Sequence, residues 1–312
     1  MNIKRIIRGG FRFLTDSDYR FLIKANRGLY NDMPDEEYLK KLYKAIIGKA
    51  PDFENPRTFN EKLQWIKLYY RNPLYTVISD KFASREYVRE KIGEEYLVPL
   101  LGVWDSPDEI DFEALPDEFV LKCNHNSGIG MCICRDKSKI DVEKVKADLR
   151  RGLNENFYLG GREWQYKNIK RRIVCEKYMS DGTGRGLLNY KIYCFNGEPK
   201  IFHMSRDIGR KSAQLSFLDE NWNVLPFRRE DYPPFEVPPE KPENIEDLLS
   251  VSRKLSQDFP FVRVDLYVID GKIYYSELTL DPCGGFSRFN PSEWDLKLGE
   301  WLTLPEKLQE VE

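Results

Sequence analysis

Phe261-Val-Arg-Val-Asp-Leu-Tyr-Val-Ile-Asp-Gly-Lys-Ile-Tyr-Tyr-Ser-Glu-Leu-Thr279 is the stretch on which the fold turns. Two β-branched and aromatic runs flank Asp270-Gly271, which reads as a β-hairpin. A two-residue turn would set Asp265 opposite Ser276 and send Glu277 to the other face, because a one-residue slip reverses every side chain. A three-residue loop over 270–272 sets Asp265 opposite Glu277. Arg263, Asp265, Glu277 and Thr279 then share one face, and Val264, Leu266, Val268 and Leu278 the other. We expect that loop, or another odd one of the same parity. Carboxylates in apolar surroundings are costly unless paired. Mg²⁺ bridging nucleotide phosphates is a natural partner, since it usually takes one or two carboxylates plus phosphate oxygens. Taken alone, the stretch fits an ordinary hairpin with a surface Asp and Glu as well.

The rest of the chain narrows the choice. Its 312 residues can bury a sizeable core and form two or more subdomains. The 49 basic residues nearly balance 51 acidic ones, which argues against nucleic acid as a partner. No apolar run approaches the roughly 18 residues of a membrane span, and no secretory signal is visible. Six cysteines, mostly in apolar strand-like runs, suit a reduced cytoplasmic protein. Cys132-x-Cys134 has no His at zinc-ligand spacing. Only His125 and His203 are available as imidazole bases, which weakens a Ser-His-Asp hydrolase. Residues 1–15 are basic and amphipathic. They suit either an arm packed on the domain or contact with the inner face of a membrane.

Residues 16–92 read as helical. Asp35–Ile47 carries Tyr38, Leu42 and Ile46 on one face and ends at Gly48. Thr58-x-x-Glu61 is a capping box, and a third helix spans Lys81–Ile92. Strands are expected at 97–103, 118–123, 129–134, 172–178, 190–195, 200–205 and 213–218, with Asn196-Gly197 as a hairpin turn. Asp141 opens a helix, 226–243 is a surface loop, and helices cover 245–257 and 294–302. The expected division is 1–95 (basic segment and helices), 96–180 (a first lobe) and 181–312 (a second lobe with the metal site).

Several segments carry chemistry. Lys122 ends an apolar strand before Asn124-His-Asn-Ser-Gly-Ile-Gly130. A lysine beside a Gly-containing loop suits phosphate, because backbone N–H groups can approach unobstructed. Glu176-Lys177-Tyr178 ends another strand before Asp181, and could offer backbone to a base edge and a carboxylate to ribose. Lys191 sits among apolar residues and must snorkel or find an anion. Arg206, Arg210 and Lys211 fit an acidic acceptor or a solvated surface cluster.

Taken in order, Lys81, Lys122, Glu176-Lys177, Asp181, Lys191, Arg263-x-Asp265 and Glu277-x-Thr279 resemble the ATP-grasp superfamily. Asn55-Pro-Arg-Thr-Phe-Asn-Glu-Lys-Leu63, Phe119-Val-Leu-Lys-Cys-Asn-His-Asn-Ser-Gly128 and Glu277-Leu-Thr279 with Gly284-Gly285 resemble its TupA-like family, over roughly residues 35–303. The resemblance implies an α+β ATP-grasp fold, two β-containing lobes clasping ATP, with an N-terminal helical extension. It implies that Lys81, Lys122 and Lys191 contact phosphates and that the Ser127, Gly128 and Gly130 turn covers them. Glu176, Lys177 and Tyr178 would meet adenine, and Asp181 ribose. Asp265, Glu277 and Thr279 would hold Mg²⁺, two ions in all, though Thr279 departs from the Asn usual in the ligases of the superfamily. Arg263 and Lys191 would serve catalysis, and Arg206, Arg210, Lys211, Gly284 and Gly285 the acceptor.

The implied activity is ATP-dependent carboxylate–amine ligation through an acyl phosphate. The implied setting is capsule or cell-surface polysaccharide synthesis, joining a uronic-acid carboxylate of an acidic glycan to an amino acid or other amine. Two rivals remain. A sugar or polyol kinase on the same fold would leave a stable phosphorylated product. A polysaccharide glycosyltransferase would require a nucleotide sugar.

Overall fold

The computed structural model describes residues 12–182, 187–206 and 212–308. After helical residues 12–15 come α1 (Ser17–Ala25), α2 (Asp35–Ile47), α3 (Phe59–Tyr69), α4 (Pro73–Ser79) and α5 (Ser84–Ile92). α2 stops where Gly48 takes φ 92°, a left-handed conformation that costs glycine little. The capping box forms on α3: the Thr58 hydroxyl accepts the Glu61 N–H, and the Glu61 carboxylate accepts the Thr58 N–H. α3 is buried on most sides, Asn60, Gln64 and Lys67 included. The helix expected from Lys81 begins only at Ser84. Asp80 accepts the N–H groups of Phe82 (2.8 Å) and Ala83 (3.3 Å), a turn that ends α4 and keeps Lys81 outside either helix.

A four-stranded antiparallel sheet follows, in the order β1 (Leu100–Trp104), β4 (Ile173–Lys177), β2 (Phe119–Cys123), β3 (Met131–Cys134). Between β3 and β4 lie α6 (Val142–Asn154), N-capped by Asp141, and the short α7 (Tyr158–Gly161). α6 packs Leu149 into this sheet's own core. The second sheet has five strands: β10 (Lys272–Thr279), β9 (Phe261–Ile269), β5 (Asn189–Phe195), β6 (Glu198–Arg206), β7 (Gln214–Leu218). Its large core is shared with α3, α4, α5, α8 (Ile245–Ser256) and α9 (Glu293–Trp301). The segment 226–243 is less loop-like than expected, because β8 (Arg228–Arg229) pairs with β11 (Phe289–Asn290). All six cysteines are free thiols.

The decisive hairpin departs from expectation in its loop and meets it in its facing. The loop has two residues, with Lys272 opposite Ile269 and positive φ at Asp270 (51°) and Gly271 (75°). Such a turn matches the right-handed twist of the strands. Pairing then slips between Tyr275 and Glu277, so Ser276 is an extra residue. This β-bulge restores the parity that the short turn removes. Glu277 stands opposite Asp265, and Thr279 opposite Arg263.

Candidate functional site

The paired register carries the charges across the five-stranded sheet in one row. Glu277 neighbours Asp265, Asp265 neighbours Lys191, and Lys191 neighbours His203. Arg263 reaches over them. Its Nε and Nη2 donate to the two oxygens of Asp265 (2.6 and 2.7 Å), and Nη2 also to Glu277 (2.9 Å) and the Thr279 hydroxyl (2.9 Å). Lys191 forms an ion pair with Asp265. Asp265 is fully enclosed, whereas the Glu277 side chain is 43% exposed. Glu277 is therefore the carboxylate a ligand can reach first. Burial works against its ionised form, but Arg263, Lys191, Lys81 and the Thr279 hydroxyl hold its carboxyl down at about 2. Burial likewise opposes the charge on Arg263, yet Asp265 and Glu277 keep the guanidinium firmly protonated.

Two further lysines face this hairpin. Lys122 pairs with Glu176 at 2.6 Å, and Arg85 pairs with the same carboxylate at 3.3 Å. Lys81 donates from its ammonium to the Asn126 carbonyl and from its backbone to Asn124, which ties it to the Ser127–Gly130 turn. Burial pulls the Lys81 pKa down. Gly128 and Gly130 both take positive φ, and a Cβ on Gly130 would lie 2.8 Å from the Cys123 sulfur. The turn can close against β2 only with glycine there.

Two cavities meet at the bulge, and Tyr275 and Ser276 line both. One, of about 360 Å³, runs between the sheets past Lys122, Met131, Ile133, Glu176, Tyr178 and Tyr267. Its walls are largely apolar, and Met131 and Ile133 leave β3 half exposed into it. The Arg135 guanidinium lies 5.3 Å over the Tyr178 ring. The other, of about 410 Å³, holds Lys81, Ser127, Arg263, Glu277 and Thr279, and continues to Glu163, Asp281 and Gly284. A larger cavity of about 890 Å³ beside Thr58, Arg288 and Asp295 shares no lining residue with these two.

The Asn55–Leu63 motif acts from behind the site. Asn60 exchanges hydrogen bonds with the Ser287 backbone at 2.8 and 3.0 Å. One turn on, Gln64 donates to the carbonyls of Gly284 (3.0 Å) and Gly285 (2.8 Å). Buried Lys67 then donates to Gly284 (2.6 Å), Gly161 (3.1 Å) and Gln64 (3.1 Å). α3 thus clamps the Gly284-Gly285 loop. Gly285 has φ 71°, and a Cβ there would stand 2.4 Å from Gln64 Nε2.

The structure thus brings together Lys81, Lys122, Ser127, Glu176, Lys177, Tyr178, Lys191, Arg263, Asp265, Glu277, Thr279 and Gly284. Asp181 lies beyond β4 and lines neither cavity, and Arg206 is exposed at the end of β6, its guanidinium 5.6 Å over the Phe235 ring. Arg210, Lys211 and residues 1–11 of the basic segment fall outside the described residues. Sequence reasoning missed Arg85, Arg135, Met131, Ile133, Glu163, Tyr166 and Asp281. Alternation along β3 could have flagged Met131 and Ile133. The others come from helix and loop positions with no periodic signal.

A TupA-like ATP-grasp family model matches residues 61–303, most of the chain. The chain belongs to the TupA-like ATP-grasp family. No protein of curated function matches the sequence. Among solved structures, it is similar to D-alanine–D-alanine ligase from Bacillus anthracis complexed with ATP (16% identity, TM-score 0.40, 70% of this chain and 57% of that one). It is also similar to the Helicobacter pylori D-alanine–D-alanine ligase (15%, 0.41, 78% and 69%) and a D-cycloserine synthetase (14%, 0.41, 74% and 71%). The chain thus spans little more than half of the first of these. The two sheets with a cleft between them are the ATP-grasp architecture of this family. No helix among the described residues is long and apolar enough to cross a membrane.

Proposed function

We propose that this TupA-like ATP-grasp protein is an ATP-dependent carboxylate–amine ligase. The observation that carries the reading is the shared face of Arg263, Asp265, Glu277 and Thr279, opposed by Lys81 and Lys122 across one cleft. The apolar cavity beside Glu176, Lys177 and Tyr178 suits adenine. The charged cavity suits the triphosphate.

The donor set fits Mg²⁺. No group of three or more His, Cys, Asp or Glu side chains is placed to hold a metal among the described residues. Asp265 and Glu277 supply two carboxylates and Thr279 a hydroxyl, so phosphate oxygens and water must complete the shell, as Mg²⁺ prefers. Bound there, Mg²⁺ would neutralise phosphate charge. Lys191 would have to release Asp265 for that oxygen to serve. Lys81, Lys122 and Lys191 hold the phosphates against the developing negative charge. Arg263 steadies the tetrahedral oxyanion when an amine attacks the acyl phosphate. A carboxylate is already nucleophilic, so the first half-reaction needs no His base.

For substrates we propose a uronic-acid carboxylate of a cell-surface polysaccharide and an amino acid, with the basic residues Arg206, Arg210 and Lys211 serving the acidic glycan and Gly284-Gly285 the acceptor end. Synthesis of such polymers on the cytoplasmic side would place the enzyme there. The test is ATP turnover with a panel of hexuronic acids, each with and without amino acids. ADP release that needs both partners, with an amide product by mass spectrometry, is expected. ADP release without an amine, accompanied by a stable phosphate ester, would overturn the reading.

A further inference from the structure

The far end of the 410 Å³ cavity has a polarity the nucleotide does not explain. Besides Arg263 and Glu277, its wall includes Phe157, Glu163, Tyr166, Asp281 and Gly284. Glu163 sits between α7 and β4, on no strand of either sheet. Its Oε1 abuts Gly161 and Gly284, 2.8 and 3.8 Å from where their Cβ atoms would stand. Its carboxylate makes no hydrogen bond or ion pair among the described residues. The neighbouring charges explain why. Lys67 is the nearby cation, but its three N–H groups go to Gln64, Gly161 and Gly284. Asp281 is taken by Gln165 at 2.8 Å. Tyr166 lies within the field of Glu163, Glu277 and Asp281, and bonds to Ser79. Burial raises the Glu163 carboxyl, Lys67 opposes that, and Asp281 raises it further. The cavity wall thus carries three carboxylates, of which Glu277 is held by Arg263 and Asp281 by Gln165, while Glu163 has no hydrogen-bond partner among the described residues.

Glu163 is half-buried at the cavity wall, and a partly desolvated carboxylate without a hydrogen-bond partner favours a cationic guest. The ligase reading above, on which this inference rests, supplies one: the amine enters as an ammonium and must lose a proton before its nitrogen can attack. We propose that Glu163 is the ammonium-binding group and proton acceptor for the amine substrate. The ammonium pairs with the Glu163 carboxylate and passes it one proton. The freed lone pair forms the C–N bond, the C–O bond to phosphate breaks, and phosphate leaves with that electron pair. The second nitrogen proton leaves with the phosphate, giving the amide.

Hydroxylamine separates the two halves of the reaction, because it is largely unprotonated at neutral pH and traps acyl phosphates as hydroxamates without help. Wild-type protein, ATP, Mg²⁺ and a hexuronic acid panel should give hydroxamate with hydroxylamine, and amide with ammonia or glycine. In Glu163→Gln, hydroxamate formation should stay within about twofold, while amide formation falls about 100-fold, the lower range for loss of a general base. Glu163→Asp, which keeps the charge, should show a smaller loss with the amines only, and serves if the first variant does not fold. Equal loss with both nucleophiles, or none with either, overturns the role of Glu163 and leaves ligation standing. No hydroxamate from the wild type refutes the ligase reading itself, and this inference with it.

Discussion

Replacing Arg263 by Met removes the one group that touches every polar member of the hairpin face. Arg263 makes two hydrogen bonds to Asp265, one to Glu277 and one to Thr279. Asp265, fully enclosed, would keep only Lys191. Breaking a buried pair by removing one partner costs about 3–5 kcal/mol, and the surviving Lys191 contact places the expected loss near the lower end, about 3 kcal/mol. Urea unfolding followed by tryptophan fluorescence, which six Trp residues permit, measures it. The companion variant Asp265→Asn and the double variant complete a cycle. The double should be milder than the sum by about 2 kcal/mol, since each single change strands the other's charge. Low pH gives a second readout. The Glu277 carboxyl falls from 4.5 to about 2, so its contribution is fully present above pH 4.5 and is lost as pH falls through 2. At about 1.4 kcal/mol per pH unit this is roughly 3 kcal/mol, which screening of a side chain 43% exposed reduces to about 1 kcal/mol. Arg263→Met should abolish most of that acid dependence. A loss under about 1 kcal/mol with additive singles would refute the view that Arg263 neutralises the carboxylate pair.

Lys122→Met should weaken binding of a non-hydrolysable ATP analogue by about 10- to 100-fold in calorimetry, the worth of one charge-assisted phosphate contact; unchanged affinity would remove Lys122 from the nucleotide site. Gly285→Ala should destabilise by about 2 kcal/mol through positive φ and the Gln64 contact, and adding Gln64→Ala should relieve only the contact part; full recovery would show that φ carries no strain. Lys67→Met leaves Gln64 Oε1 and the Gly161 carbonyl without this donor and the Gly284 carbonyl with Gln64 alone, and should cost about 2–3 kcal/mol, with amide formation falling more than nucleotide affinity because the Gly284 loop loosens. Equal falls in both would show that the clamp serves the whole fold.

Much of the fold was legible because periodicity and caps are local. Asp35–Ile47 announced itself by its apolar face and Gly48, and Thr58 and Glu61 by their spacing. The Asn196-Gly197 and Asp270-Gly271 turns both form with positive φ, as those dipeptides favour. What escaped was non-local. A helix beginning at Lys81 looked continuous until Asp80 turned its side chain onto the backbone. The hairpin loop is shorter than expected because the bulge at Ser276, not the turn, sets the parity of the charged half. Along β10 and just past its end the buried residues run Ile273, Tyr275, then Leu278 and Leu280, a jump from odd to even positions that marks the extra Ser276. The candidate site was readable where charges sit on strands, since strand alternation fixes their direction. Glu163, Tyr166 and Asp281 sit on connecting segments whose direction only the packed α3 decides.

The bulge at Ser276 divides one hairpin into two independently adjustable halves. The half beyond it, with Tyr267 and Tyr275, borders the apolar cavity; the half before it carries the carboxylates. Residues added or removed in facing pairs near Asp270-Gly271 would lengthen or shorten the first half without rotating the second. Sequence drift at the exposed tip is thereby insulated from the charged end. A protein engineer could alter the hairpin's reach along the apolar cavity, or graft a label at its tip, while Asp265 and Glu277 stay opposed.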